Sequence, residues 1–254
     1  MKLGIITDIH ENISLLTDSL RLASEYKCDE IICLGDITGY DRRFYNYNSG
    51  RSARECLNLV RSACKWITAG NHDLFAARIF PVYSNGFKYP DNWFSLDIEQ
   101  RNKLSSGKVW CYEGDDPNDL REEDIDYIKS IPEFIITDIS GISCLFAHYL
   151  APDYTGSTTV YIERESQMKH HWDIMIRNGV TYSFGGHSHN HHTGFAYISS
   201  GKFMKAFNSF HGDTFNIGNE ITAVILPPLS GDKGRRGFSI LDTNNLTLSI
   251  ITSF

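Results

Sequence analysis

The strongest constraint on the fold is a strand–helix–strand–helix–strand pattern in the first 70 residues. The stretches 3–7 and 29–34, which are mainly apolar, predict two buried strands. A helix predicted between them begins after Asn12, whose side chain can cap its first turn. A second helix over 52–63 leads to a third strand at 66–69. Because crossover helices of this kind connect parallel strands, the pattern predicts an α/β fold with a parallel sheet.

Polar side chains follow the end of each of these strands: Asp8, His10, Asp36, Asn71 and His72. The carboxyl ends of parallel strands meet at one edge of an open α/β sheet, where ligands bind. Any one of these residues is also explained as a turn or cap residue. The stretch 70–73, taken alone, fits a turn before a helix at 74–79 equally well. Repetition over three consecutive strands instead favours a ligand site.

The rest of the chain predicts a second set of strands. A helix at 120–130 precedes a hairpin of strands 133–137 and 142–147, and the second of these strands ends at His148. After a helix within 159–178, a short strand leads into Gly186-His187-Ser188-His189. Short strands then follow at 195–198, 202–207, 221–226, 238–242 and 246–251. We therefore expect residues 1–254 to form one domain in which two sheets pack together with helices outside.

Residues 78–119 show no hydrophobic period and are rich in aromatic residues, glycine and asparagine. They are interpreted as an insertion, with one short helix near 96–104. The insertion is either a lid over the ligand site or a surface loop whose aromatic side chains form a small core of their own. The sequence leaves both alternatives open.

Composition excludes several classes of function. The formal net charge of −7 argues against broad binding to long nucleic acid or to an anionic membrane. The chain shows neither a signal-peptide pattern nor an apolar run of membrane-spanning length, so a cytoplasmic protein is expected. The six cysteines are scattered without Cys-x-x-Cys pairs, which favours free thiols over disulfides.

The strand-end residues form a set with a specific chemistry: Asp8, His10, Asp36, Asn71, His148, His187 and His189. Two carboxylates, four imidazoles and one amide oxygen are suitable ligands for a hard or borderline divalent metal. The set is too large for one tetrahedral ion. It is better suited to two ions about 3.5–4 Å apart that share a bridging carboxylate and act on a phosphoryl group.

The ordered motifs resemble those of the calcineurin-like metallophosphoesterases, over residues 3 to about 192: Asp8-Ile9-His10, Gly35-Asp36-Ile37-Thr38-Gly39, Gly70-Asn71-His72-Asp73, His148 and Gly186-His187-Ser188-His189. The smaller bacterial and archaeal phosphodiesterases of that family are the most similar, partly because Tyr40 follows Gly39. The resemblance implies a four-layer αββα sandwich of two mixed β-sheets flanked by helices.

The resemblance also implies roles for individual residues. Asp8, His10 and His189 would bind the first metal. Asn71, His148 and His187 would bind the second, and Asp36 would bridge both. A hydroxide between the ions would be the nucleophile, and His72 would stabilise the attacked phosphoryl oxygens or protonate the leaving oxygen. Asp73 would hold the His72 ring in the required tautomer. Mn²⁺ is the expected metal, with Fe, Zn²⁺, Co²⁺ and Ni²⁺ as alternatives.

Substrate choice is not implied in the same way. Where close relatives often have Gly-Pro after Gly-Tyr, this chain has Asp41, Arg42 and Arg43. Arg42 and Arg43 are therefore predicted to contact a substrate phosphate. The expected substrate is a small phosphodiester or phosphomonoester. Alternatives are a nucleotide or dinucleotide polyphosphate, a phosphoprotein, or no substrate at all in a catalytically silent interaction scaffold.

Overall fold

The computed structural model describes residues 1–47, 50–189, 193–198, 202–204, 214–231 and 235–252. This part of the chain forms six α-helices: α1 (Ile13–Glu25), α2 (Ala53–Ala63), α3 (Asn71–Ala76), α4 (Ile98–Ser105), α5 (Glu122–Lys129) and α6 (Lys169–Arg177). Its strands are β1 (Lys2–Ile6), β2 (Glu30–Cys33), β3 (Trp66–Ile67), β4 (Phe134–Ile139), β5 (Ile142–Ala147), β6 (Tyr182–Gly185), β7 (Gly194–Tyr197), β8 (Lys202–Met204), β9 (Thr214–Asn216), β10 (Thr222–Ile225), β11 (Phe238–Asp242) and β12 (Thr247–Ile251).

The strands form two six-stranded mixed sheets. The first has the order β3-β2-β1-β11-β12-β9, in which β1, β2 and β3 run parallel and β11 pairs antiparallel to β1. The second has the order β4-β5-β6-β10-β7-β8, with β5, β6 and β10 parallel. Two mixed sheets with flanking helices confirm the fold class expected from the sequence.

Three apolar clusters hold the layers together. The central cluster lies between the sheets and includes Leu3 and Ile5 of β1 with Phe146 and Phe184 of the second sheet. Ile6, the next residue of β1, instead belongs to the cluster that packs the first sheet against α1, α2 and α5. A third cluster packs α6 onto the second sheet. Because β1 is covered on both faces, its sequence is continuously apolar rather than alternating.

Some predicted boundaries are wrong. The helix after the third strand begins at Asn71 rather than at residue 74, because the polar tetrapeptide forms its first turn. Strand β9 was not predicted, since it is only three residues long and half exposed. Predicted strand 202–207 is described only over 202–204. No helix in the described ranges has the length and apolarity needed to cross a membrane.

The insertion has features both of a lid over the site and of a loop with an aromatic core of its own. It contains a short 3₁₀ helix (Trp93–Ser95) and α4, and Trp93 is fully buried. Phe80 stacks on Tyr89 and Phe94 with ring centroids 4.9 and 5.0 Å apart, so the aromatic residues do form a small core. The later residues of the insertion, from Asn102 to Asp115, line the cavity above the strand ends.

Candidate metal centre

The parallel strands of both sheets end at one place. Gly186, just after β6, donates its N–H to the carbonyl of His148 at the end of β5, at 2.7 Å. The N–H of Leu229 bonds the carbonyl of Thr7, at the end of β1, at 2.8 Å. His187 N–H donates to Asp8 Oδ2 at 3.1 Å, which joins the two sheets directly. The loops after β1, β5, β6 and β10 therefore converge on one point between the sheets.

The seven predicted metal ligands all lie at this point. Their donor atoms form two triads, each within 4.8 Å: Asp8, His10 and His189, and Asp36, His148 and His187. The triads are in contact, because His148 Nε2 lies 3.1 Å from Asp36 Oδ2 and 3.8 Å from Asp8 Oδ1. His10 Nε2 lies 3.9 Å from a carboxylate oxygen of both aspartates. Asn71 lines the same cavity.

The polar atoms of this cluster are suited to hold cations. Four of them are buried without a hydrogen-bond partner in the described part of the chain: Asp8 Oδ1, Asn71 Oδ1, His148 Nε2 and His187 Nε2. Buried polar atoms are nearly always hydrogen-bonded, so an unpaired group of acceptors in one place needs another partner. Carboxylate oxygens, an amide oxygen and imidazole nitrogens are ligands for divalent metals, and the residues therefore fit such ions.

Two of the imidazole rings are oriented by a hydrogen bond from Nδ1 to a backbone carbonyl. Nδ1 of His10 lies 2.8 Å from the carbonyl oxygen of Gly39, and Nδ1 of His148 lies 2.9 Å from that of Leu34. Because a carbonyl oxygen can only accept, each Nδ1 carries the proton and donates it. This turns Nε2 of each ring towards the carboxylates, the arrangement usual for histidines that bind metal.

The backbone at the centre is strained. Asp8, His10, Asp36, His187 and His189 all have φ between 47° and 65°, in the left-handed region. This conformation costs each residue other than glycine about 1–2 kcal/mol, so surrounding contacts must stabilise it. The N–H groups of Ile9 and His10 supply part of this enforcement by donating to the carbonyl of Asp36 at 2.8 and 2.9 Å.

Burial and neighbouring charges give the histidines of the centre different pKa values. Burial lowers the pKa of His10 and His187 well below the ordinary histidine value, so both rings are neutral and able to bind metal. Burial also lowers the pKa of His148, but the charges of Asp36 and Asp8 outweigh it and raise that pKa to about 9. Burial tends to raise the pKa of Asp36, yet the nearby imidazoles hold it well below its usual range.

The structure corrects the role of Asp73. Its Oδ1 accepts hydrogen bonds from the N–H groups of Ile37 and Thr38, both at 3.0 Å, and its Oδ2 accepts from Gly70 N–H at 3.0 Å. The side chain therefore points back into the loop after β2 and ties it to the start of α3. It does not orient His72, because its oxygens are used by these backbone donors.

Asp115 takes the place predicted for Asp73. Its Oδ2 lies 2.8 Å from Nδ1 of His72, and the pair is partly buried. Burial lowers the pKa of His72, but the charges of Asp115 and Asp36 outweigh it and raise that pKa to about 10. The ring of His72 lies against Gly39, whose φ is +90° and where any Cβ would overlap the ring. Sequence reasoning missed Asp115 because it lies in the aperiodic insertion.

Arg42 and Arg43 hold the insertion in place. Arg42 forms a two-pronged ion pair with Asp116 at 2.8–3.1 Å and does not line the cavity. Arg43 lines the cavity, but its guanidinium bonds Asp41 at 2.7 Å and Glu113 at 3.1 Å. Their predicted contact with substrate phosphate stays a prediction, and the contacts present here are with the carboxylates of Asp41, Glu113 and Asp116.

His171, on α6, is fully buried, and its Nδ1 accepts from the N–H of Ala151 at 3.0 Å. His191 and His192, which follow the last of the ordered motifs, and Lys233 lie outside the described residues.

A cavity of about 770 Å³ opens from the centre. Its floor includes His10, Asp36, Asn71 and His187, and its walls come from the loop after β2 and from the insertion. Cavities of this size hold drug-sized organic ligands, so there is room for much more than one phosphate group.

Comparisons with known proteins agree with this geometry. The model of the calcineurin-like phosphoesterase family matches residues 1–191. The protein MJ0912 of Methanocaldococcus jannaschii is 24% identical over 169 residues, which are 63% of this chain and 58% of that relative. The alignment thus spans less than two thirds of the relative's length.

Solved structures show the same fold. A metallophosphoesterase from Sphaerobacter thermophilus superposes with a TM-score of 0.66 at 18% identity, covering 100% of this chain and 88% of that one. The protein PH1004 of Pyrococcus horikoshii OT3 gives a TM-score of 0.58 at 13% identity, covering 99% and 87%. With the family model matching most of its length, the chain belongs to the calcineurin-like phosphoesterase family.

Proposed function

We propose that this protein is a metal-dependent phosphoesterase that binds two divalent ions and hydrolyses a phosphodiester or phosphomonoester of a small molecule or nucleotide. Membership of the family implies metal-dependent phosphoester hydrolysis. The observation that carries the proposal is the convergence, beside Asp36, of four buried ligand atoms that have no hydrogen-bond partner among the described residues. Mn²⁺ is the first ion to test, and Fe, Zn²⁺, Co²⁺ and Ni²⁺ suit the same donors.

Each ligand has a proposed place. Asp8, His10 and His189 would hold one ion, Asn71, His148 and His187 the other, and Asp36 would contact both. When bound, such ions supply Lewis acidity and an ionised water for attack on phosphorus. The two triads and the 3.1 Å approach of His148 to Asp36 support this division.

His72 is proposed to act on the substrate rather than on the metals, although its donor atoms also lie within 4.8 Å of His10 and Asp36. Its ring lines the cavity, and Asp115 accepts from Nδ1, which favours the protonated ring and turns Nε2 away from the carboxylate. A protonated imidazole at this place can neutralise charge on the attacked phosphoryl oxygens or protonate the leaving oxygen. The high pKa of His72 supports the protonated form at neutral pH.

The walls of the cavity favour a small substrate. The insertion and the loop after β2 enclose the centre, whereas a folded phosphoprotein would need a shallow and open groove. A small ester or nucleotide is therefore preferred over the phosphoprotein alternative.

The test measures metal content and hydrolysis together. The purified protein, supplied with Mn²⁺, is assayed with bis-p-nitrophenyl phosphate and p-nitrophenyl phosphate, for the wild type, His72→Ala and His170→Ala. His170 is an exposed histidine on α6 and serves as the matched control. We expect about two ions per chain, Mn²⁺-dependent turnover in the wild type and control, and a loss of at least about 100-fold in His72→Ala with its metals retained.

Absence of both bound metal and turnover would contradict the proposal and favour the interaction scaffold. Full turnover in the presence of excess EDTA would contradict the metal-dependent mechanism. Two bound ions with unchanged activity in His72→Ala would leave the metal centre in place but remove the role given to that side chain.

A further inference from the structure

The insertion forms a large part of the cavity wall away from the metal centre. Residues from α4 to the end of the insertion line it, among them Asn102, Ser105, Val109 and Trp110. Tyr161, from the segment before α6, lines the same side. One phosphate at the metal centre would leave most of the 770 Å³ for an organic group, so this wall is placed to contact the rest of the substrate.

The wall presents an aromatic surface centred on Trp110. Its ring meets Tyr161 edge to face with centroids 6.2 Å apart, and Tyr161 in turn stacks on His187 at 5.4 Å and 22°. Nε1 of Trp110 is buried and has no acceptor among the described residues. Phe44, 75% exposed, also lines the cavity. A planar heterocycle could stack against this aromatic surface.

The charge of the wall is negative. Asp41, Glu113 and Asp115 all line the cavity outside the metal centre. Arg43 is the only lysine or arginine among the described residues that line it, and its guanidinium pairs with both Asp41 and Glu113. A second phosphate placed away from the metal centre would therefore face carboxylates without a free arginine or lysine to balance it.

We propose that the cavity binds a phosphodiester with a single negative charge whose heterocyclic group, such as a nucleobase, lies against Trp110. The inference rests on the proposed function and deepens it. It disfavours dinucleotide polyphosphates, whose further phosphates would lie along the carboxylates of the wall, and to a smaller degree phosphomonoesters, whose phosphate carries one more negative charge for the same carboxylates to repel. The metal centre receives the one charged group, and the insertion receives the neutral ring.

Three esters with the same leaving group separate the effect of the heterocyclic ring on kcat/KM from the effect of the phosphate charge. The p-nitrophenyl ester of thymidine 5′-monophosphate has one charge and a nucleobase, methyl p-nitrophenyl phosphate has one charge and no nucleobase, and p-nitrophenyl phosphate has two charges. We expect kcat/KM to fall about tenfold from the first to the second, mainly through KM, because stacking of a base is lost. A further fall is expected from the second to the third at pH 8, where the monoester is a dianion.

Substitutions in the cavity wall test whether its residues cause these differences in kcat/KM. Trp110→Ala should lower kcat/KM for the thymidine ester about tenfold. Phe80→Ala, which removes an aromatic ring of the insertion that does not line the cavity, is the control and should leave it unchanged. Glu113→Gln should raise kcat/KM for the monoester several-fold more than for the diesters, because it removes one negative charge from the wall.

A binding measurement separates failure of the inference from failure of the proposed function. Thymidine, which has no phosphate to hydrolyse, is titrated into the purified protein by calorimetry. Weakening of its binding about tenfold in Trp110→Ala, with Phe80→Ala unchanged, supports the ring subsite even if no ester is hydrolysed. Hydrolysis of the esters with equal kcat/KM in the wild type and Trp110→Ala, and no thymidine binding, would overturn it and leave the phosphoesterase proposal standing.

Discussion

The most informative substitution is Asp115→Asn. It keeps the size of the side chain and removes the negative charge that lies 2.8 Å from Nδ1 of His72. The segment that carries Asp115 stays attached to the body, because Arg42 binds Asp116 and the N–H of Asp116 donates to the carbonyl of Tyr40 at 2.8 Å. The change therefore acts on the pair rather than on the position of the insertion.

The size of the effect follows from the contact. His72 and Asp115 are 20% and 14% exposed, so their interaction is only weakly screened by water. A hydrogen bond to a charged group contributes about 1.5–3 kcal/mol. If the protonated ring acts only in the transition state, its loss lowers kcat by about 10- to 150-fold with little change in KM.

The assay is a double-mutant cycle with bis-p-nitrophenyl phosphate, using the wild type, Asp115→Asn, His72→Ala and the double variant, each with its metal content measured. Because Asp115 is inferred to act through His72, the double variant should be no slower than His72→Ala alone. Asp115→Asn should also lower the pKa of His72, so the alkaline limb of the pH–kcat profile should move to lower pH.

Two results would refute this reasoning. Asp115→Asn with wild-type kcat would show that the charge does not matter to His72. Losses that multiply in the double variant would show that Asp115 acts on something other than His72, such as the fold of the cavity wall.

Four further predictions test the site and its support. Removal of divalent ions with EDTA should lower the melting temperature, because an ion at 1,000 times its Kd adds about 4 kcal/mol to the free energy of unfolding. Gly39→Ala should lower kcat about 100-fold, since its Cβ would displace the ring of His72. Asp73→Asn should lower the free energy of unfolding by about 3 kcal/mol in urea, because its amide cannot accept every backbone donor. Burial lowers the pKa of His171 to about 3, so the unfolded chain alone takes up this proton below about pH 6.5. The wild type should then lose about 2 kcal/mol more than His171→Asn between pH 6.5 and 5 in urea unfolding, whereas His170→Asn should behave as the wild type.

The sequence predicted the layered fold because its signals are local. Continuous apolar runs marked strands buried on both faces, and amphipathic stretches marked the helices between them. The order of strand and helix then placed Asp8, Asp36 and Asn71 at one edge of the first sheet, since parallel strands share a carboxyl end. The same logic placed His148 and His187 at the end of the second sheet.

Only the tertiary structure decided which side chains pair at the site. Asp73 follows His72 directly, yet its carboxylate turns to the backbone, because the loop after β2 presents two N–H donors to it and Gly70 presents a third. The carboxylate that holds His72 comes instead from Asp115, 43 residues further along the chain. No periodicity marks this position, because its geometry depends on ion pairs between two irregular loops.

The sequence also did not predict the left-handed backbone conformation of five site residues. Asp8, His10, Asp36, His187 and His189 have no intrinsic preference for positive φ strong enough to predict it. Hydrogen bonds between the loops of neighbouring strands hold it in place. The chain thus carries the identity and order of the ligands in its local pattern, whereas long-range contacts between loops set their orientation and the shape of the cavity above them.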